Sequence, residues 1–257
     1  MPALEAGMLA MVLGTAALTP APSHAQIKTK PDGKWRQILG AGASVASGNS
    51  DLTSYNLDYD LARQTGHHTL TLRTRALYNT SDGETSANTT DVSLTGKRTL
   101  GEGFYVYANG TWFRDRIANL SHRLSGSSGF GYKLIHTPTD DWGIFAGLGY
   151  TEDRYTIPTL VSDQIRSRYG RFELTLGTES THQLTPSTSF HQRLAVYPAL
   201  NDENDLRAEF QSTLSVAINR RLALTASADL RYNRDPGTAI SRMDRRFTTG
   251  ISLKFVD

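Results

Sequence analysis

The chain contains no cysteine among its 257 residues. That removes disulfides, thiolate metal sites and thiol catalysis at once. It suits an exported protein, for which an unpaired thiol is a hazard. Charge of one sign is missing too. Lys and Arg number 27 against 25 Asp and Glu, a formal net charge of +2. No basic run stands apart from the mixed signs, so no nucleic-acid partner is expected. Long apolar runs are also lacking. After the N-terminus nothing approaches the roughly 20 consecutive apolar residues of a spanning helix. Hydrophobic residues make up 38% of the chain. That is too little for a bundle of such helices, but it fits strands of which only every second residue meets lipid. Neither a His-Glu-x-x-His pair nor a Gly-x-Ser-x-Gly elbow occurs.

The N-terminus reads as an address. Residues Gly7 to Leu18 are apolar and small, a Pro-containing break follows, and Ser23 and Ala25 occupy the two positions that signal peptidase reads. Residues 1–25 are therefore expected to be a signal peptide, with Gln26 as the mature start. Glu5 stands where a basic residue is usual. Residues 26–34 follow as a periplasmic segment, and 35–257 as one outer-membrane β-barrel.

Beyond Gln26 the apolar period is two. Leu206, Ala208, Phe210, Leu214, Val216 and Ile218 alternate with Arg207, Glu209, Gln211, Thr213 and Ser215. Leu222, Leu224, Ala226, Ala228 and Leu230 alternate with Thr225, Ser227, Asp229 and Arg231. Phe247, Ile251, Leu253 and Phe255 do the same near the end. Successive strand side chains point to opposite faces, so each block has one greasy and one charged side. This pattern predicts strands over 35–47, 52–63, 68–79, 86–98, 103–115, 119–135, 141–153, 165–182, 187–198, 204–219, 222–234 and 243–255. The fold class is all-β: a transmembrane, antiparallel, up-and-down barrel of about 12 strands, an even number as in single-chain bacterial barrels. Joints after even strands are expected to be short periplasmic turns. Those after odd strands, such as 80–87, 155–163, 199–204 and 233–242, are expected to be longer external loops. Phe104 with Trp112, and Trp142 with Tyr150, are spaced as two aromatic girdles. A soluble sandwich core is the competing use of those rings.

The polar faces carry both signs. The lumen-facing candidates are Arg73, Arg75, Arg171, Glu173, Arg193, Arg207, Glu209, Asp229 and Arg231. Lys97, Arg123, Lys133, Glu179 and Asp60 belong to the same series. Paired charges of this kind predict either a salt-bridged plug or a narrow pore that favours anions. Other chemistry-bearing residues have plainer readings. His67-His68 sits in a turn, His191 is a lumen hydrogen-bonder, and Asp202, Glu203 and Asp205 form a solvated acidic loop. Ser121, His122 and Asn119 on the outer wall would suit a lipid hydrolase only if the three converge. No catalytic set, cofactor or metal is expected.

Three segments carry a resemblance: Gly40-Ala41-Gly42-Ala43 through Gly48-Asn49-Ser50-Asp51; Gly177-Thr178-Glu179 through Ser189-Phe190-His191-Gln192-Arg193-Leu194 to Tyr197-Pro198; and Phe247 through Phe255. Together they resemble the YdiY-like salt-induced outer-membrane protein family, a domain family of unassigned function. The resemblance implies an outer-membrane barrel with a structural or salt- and osmotic-stress role. Outer-membrane lipids, lipopolysaccharide and the barrel-assembly machinery are the partners such a location implies. It carries no catalytic residues to transfer. Two residues, Val256 and Asp257, follow the terminal Phe255 on which such barrels usually end.

Overall fold

A computed structural model describes residues 29–46, 51–202, 205–236 and 240–256. The signal-peptide reading of 1–25 and the start at Gln26 lie outside the described residues. Twelve strands follow one another: β1 (Asp32–Ala46), β2 (Leu52–Thr65), β3 (His68–Ser81), β4 (Glu84–Gly101), β5 (Phe104–Asp115), β6 (Leu120–His136), β7 (Asp140–Val161), β8 (Gln164–Gln183), β9 (Thr188–Pro198), β10 (Leu206–Ala217), β11 (Leu222–Asn233) and β12 (Met243–Val256). Each pairs antiparallel with its sequence neighbours, and β12 returns to β1, so the sheet is a closed up-and-down barrel. The seam registers Arg36–Ala41 against Ile251–Val256. Closure leaves no sheet edge, so the strands satisfy their own backbone groups. Among the described residues no helix is long and apolar enough to cross a membrane.

Alternation sorts the residues as in a barrel turned inside out. Phe130 is 68% exposed and Leu148 61%, whereas Arg171 is 2% and Asp153 1% exposed. Large apolar side chains cover the outside, and ions fill the inside. A water-soluble domain shows the reverse. The outward aromatics fall in two tiers. Phe104 and Tyr132 pack at 4.7 Å between centroids near the end that carries both termini. Trp142 joins that tier, its Nε1 donating to Thr178 Oγ1 at 2.8 Å. Tyr150 and Phe172 pack at 5.0 Å toward the distal end.

Some boundaries differ from those read in the sequence. β1 starts at Asp32, inside the stretch assigned to the N-terminal segment. The expected long loops at 80–87 and 155–163 are instead paired ribbon closed by two-residue turns. Asp82 and Gly83 have φ of 51° and 81°, Ser162 and Asp163 of 52° and 58°. Positive φ at both central residues is the hairpin turn that matches strand twist, and Asp and Gly tolerate it. Around 80–87 the period fades because neither face is buried; in 155–163 the register shift between Arg154 and Thr159 breaks it. Among the described residues at that end, 200–202, 234–236 and 240–242 lie outside the strands and their tight turns.

The β7–β8 ribbon bends over the distal mouth. Val161, Tyr169, Tyr155 and Leu120 form a small buried apolar cluster beneath it, with Phe113 against them. Its tip is pinned from two other connections. Ser162 N donates to Asp235 Oδ2 at 2.7 Å, and Ser162 Oγ to Asp202 Oδ2 at 2.5 Å.

Candidate functional site: the charged lumen

One wall of the interior is a neutral ion cluster, built because Arg123 on β6, Asp153 on β7, Arg171 and Glu173 on β8 and Arg207 on β10 all point inward. Arg171 Nη1 donates to Asp153 Oδ2 at 3.1 Å and Arg171 Nε to Glu173 Oε1 at 2.9 Å; Asp205 Oδ2 lies 3.2 Å from the same Nε. Arg207 Nη2 reaches both oxygens of Glu173 at 2.7 Å. Arg123 forks onto Asp153 at 2.5 and 2.7 Å. Three guanidinium groups thus face three carboxylates. In a low-dielectric setting each charge is tolerable only because the others are there. Burial pushes the Asp205 carboxyl above its ordinary range, against the pull of Arg171 and Arg207.

Asp205 is also a correction. The acidic loop reads as solvated, yet Asp205 is buried and joins this cluster, and Asp202 accepts from Tyr169 OH at 2.9 Å. Asp202 and Asp205 turn toward the barrel because Tyr169 and Arg171 supply partners that their sequence neighbours do not show. Glu203 lies outside the described residues.

The remaining lumen is crossed by side chains from strands that are not neighbours. Lys97 on β4 donates from Nζ to Glu179 Oε2 on β8 at 3.1 Å. Beside this bar, His191 Nε2 stands 3.8 Å from the other oxygen of Glu179. Arg73 binds Asp60 at 3.2 Å, and the Arg193 guanidinium stacks 5.2 Å over the Phe145 ring. Nearer the distal end, Arg231 on β11 lies 4.6 Å over the Phe113 ring on β5. Arg75 on β3 approaches Asp229 on β11 at 3.9 Å, and Arg246 on β12 donates to Thr89 on β4 at 3.3 Å.

Glycine makes room along β6, β7 and β8. A Cβ on Gly131 would sit 2.1 Å from Cζ of Tyr105, and one on Gly177 2.4 Å from Cζ of Phe145. The ring atoms of Tyr105 and Phe145 take the space that side chains at Gly131 and Gly177 would fill. A cavity of about 1080 Å³ remains, lined from Pro31, Gly66 and Thr137 at the terminal end to Asp115, Pro236 and Asp244 at the distal end.

Arg73, Arg75, Glu173, Arg193, Arg207, Glu209 and Arg231 line that cavity. Arg171 and Asp229 are buried inside the barrel. Asp153 and the inward aromatics escaped sequence reasoning, since an inward ring on a strand reads like an outward one. Of the outer-wall set, Asn119 lies in the turn before β6, and Ser121 and His122 are on β6. The Asn119 carboxamide is taken by the Ile157 main chain, donating at 2.7 Å and accepting at 2.9 Å. His67 occupies the β2–β3 turn, and His68 opens β3.

A family profile described as "Protein of unknown function, DUF481" matches residues 39–255. The chain belongs to this family. Membership agrees with a domain family of unassigned function, and it adds no activity. Nothing matches among curated proteins. Among solved structures the chain is similar to the NanC porin, at 12% identity and a TM-score of 0.48, over 86% of this chain and 97% of that one. It is similar to the COG4313 outer-membrane channel of Pseudomonas putida F1 at 14% and 0.48, over 89% and 97%. It is also similar to the translocator domain of the autotransporter NalP of Neisseria meningitidis at 14% and 0.44, over 87% and 88%.

Proposed function

We propose that this chain is an outer-membrane barrel whose lumen is a narrow, non-catalytic passage for small solutes, with anions favoured. The observation that carries the reading is a cavity whose lining reaches both ends of the barrel. An apolar exterior between two aromatic tiers supports a membrane setting, with rings at the two interfaces. The termini then lie on the periplasmic side, as in barrels with an even number of strands. At the Lys97 level three cations, Arg73, Lys97 and Arg193, face two carboxylates, Asp60 and Glu179. An excess of basic side chains at a constriction favours anions. A salt- or osmotic-stress role, which the sequence resemblance implies, is compatible with a passage of small bore. Expression rising with external salt is the expected sign.

One observation favours a second reading, a closed structural barrel: the lumen is spanned by the Lys97–Glu179 pair and by Arg231 over Phe113. Liposome swelling separates the two. Vesicles carrying the refolded protein should swell in small neutral or anionic osmolytes and resist larger ones. Vesicles that do not swell in any osmolyte, with the barrel folded and inserted, speak for the closed form.

A further inference from the structure

Just beyond the distal aromatic tier, alternation sends arginines of β5, β7 and β8 outward. In Phe113-Arg114-Asp115-Arg116, Phe113 and Asp115 line the cavity, so Arg114 points outward with Trp112. Asp115 Oδ1 is held inside the turn by the amides of Ile117 and Ala118 at 3.0 and 3.1 Å. In Glu152-Asp153-Arg154, Asp153 is buried in the ion cluster, so Glu152 and Arg154 point outward with Tyr150. The register sets Arg154 against His122 on β6 and against Arg168 on β8. The outer wall here therefore carries Arg114, Arg154 and Arg168, with Arg116 exposed at the adjoining turn and one acid, Glu152, among them.

Glu152 does not neutralise this patch; it arranges it. Its carboxylate accepts from Arg154 Nε at 2.9 Å and from Arg168 Nη2. The two side chains stay 50% and 61% exposed. Each guanidinium has five N–H donors, so most of them face outward, side by side and pre-oriented. Arg154 lies four residues past Tyr150, which at about 3.3 Å per residue and a tilt of about 40° is roughly 10 Å beyond the ring. That is headgroup depth. Planar forks at that depth match phosphate oxygens bidentately.

We infer that the β5–β8 outer wall is a binding site for the phosphorylated saccharide headgroup of an outer-leaflet glycolipid, clamped by Arg154 and Arg168 with Arg114 and Arg116 alongside. The inference rests on the outer-membrane reading above and on its orientation, distal end outward. Sucrose-gradient fractionation of expressing cells reads location separately from binding.

The test is titration of the purified full-length barrel in micelles with bisphosphorylated lipid A and with the same lipid stripped of phosphate, read by native mass spectrometry. Folding of each variant is checked by its heat-dependent gel shift. The Arg154→Gln, Arg168→Gln double variant should bind the phosphorylated lipid at least about tenfold more weakly, the loss of about 1.4 kcal/mol. Arg114→Gln with Arg116→Gln should lose about threefold, which keeps the test open should the first variant not fold. Arg245→Gln, on β12 away from the patch, should bind like the parent. Equal affinity for both lipids, or unchanged binding in both double variants, overturns the inference. Inorganic phosphate competing as well as lipid A at equal concentration overturns it as well, in favour of a free anion.

Discussion

Arg171 shows what holds a charged interior together. It lies within 3.2 Å of Asp153, Glu173 and Asp205 at once. Removing it leaves three carboxylates sharing the remaining Arg123 and Arg207. Arg171→Met is therefore expected to destabilise the barrel by about 3–5 kcal/mol, the usual result of breaking a buried ion pair from one side. Guanidinium unfolding of the lipid-inserted protein measures it. Lys97 plays a different part, since it bars the lumen rather than lining a wall. Lys97→Gln should leave stability within about 1 kcal/mol while lowering the anion preference of the passage about twofold or more. Ion-selectivity measurement on the variant checks this.

The strands were legible in the sequence wherever one face meets lipid and the other the lumen. Leu222 to Leu230 and Phe247 to Phe255 alternate cleanly, and β11 and β12 follow them. Legibility ended where that contrast ends. The 80–85 stretch and the 154–161 stretch, with Pro158 inside it, look like loops. Both are paired ribbon, the second with a register shift between Arg154 and Thr159 where a proline is tolerated. Such ribbons depend on their turns. Gly83→Val, which places a β-branched residue at φ 81°, should cost about 1–2 kcal/mol in the same unfolding assay.

At the scale of the whole molecule, closure creates what no segment contains. The polar faces name the lumen residues one strand at a time, so Arg73, Arg193 and Arg231 could be listed in advance. Their partners could not. Lys97 and Glu179 are 82 residues apart, and Phe113 meets Arg231 only because β5 and β11 lie on opposite sides of a twelve-stranded ring. Asp205 looked solvated until the ring placed Arg171 beneath it. The same closure sets the cavity on which the proposed passage rests. Single-channel recording in a planar lipid bilayer tests that most directly. The expected record is steady unitary steps of small conductance with a reversal potential displaced toward the anion. A silent bilayer, with protease protection proving that folded barrels are inserted in it, would contradict the passage altogether.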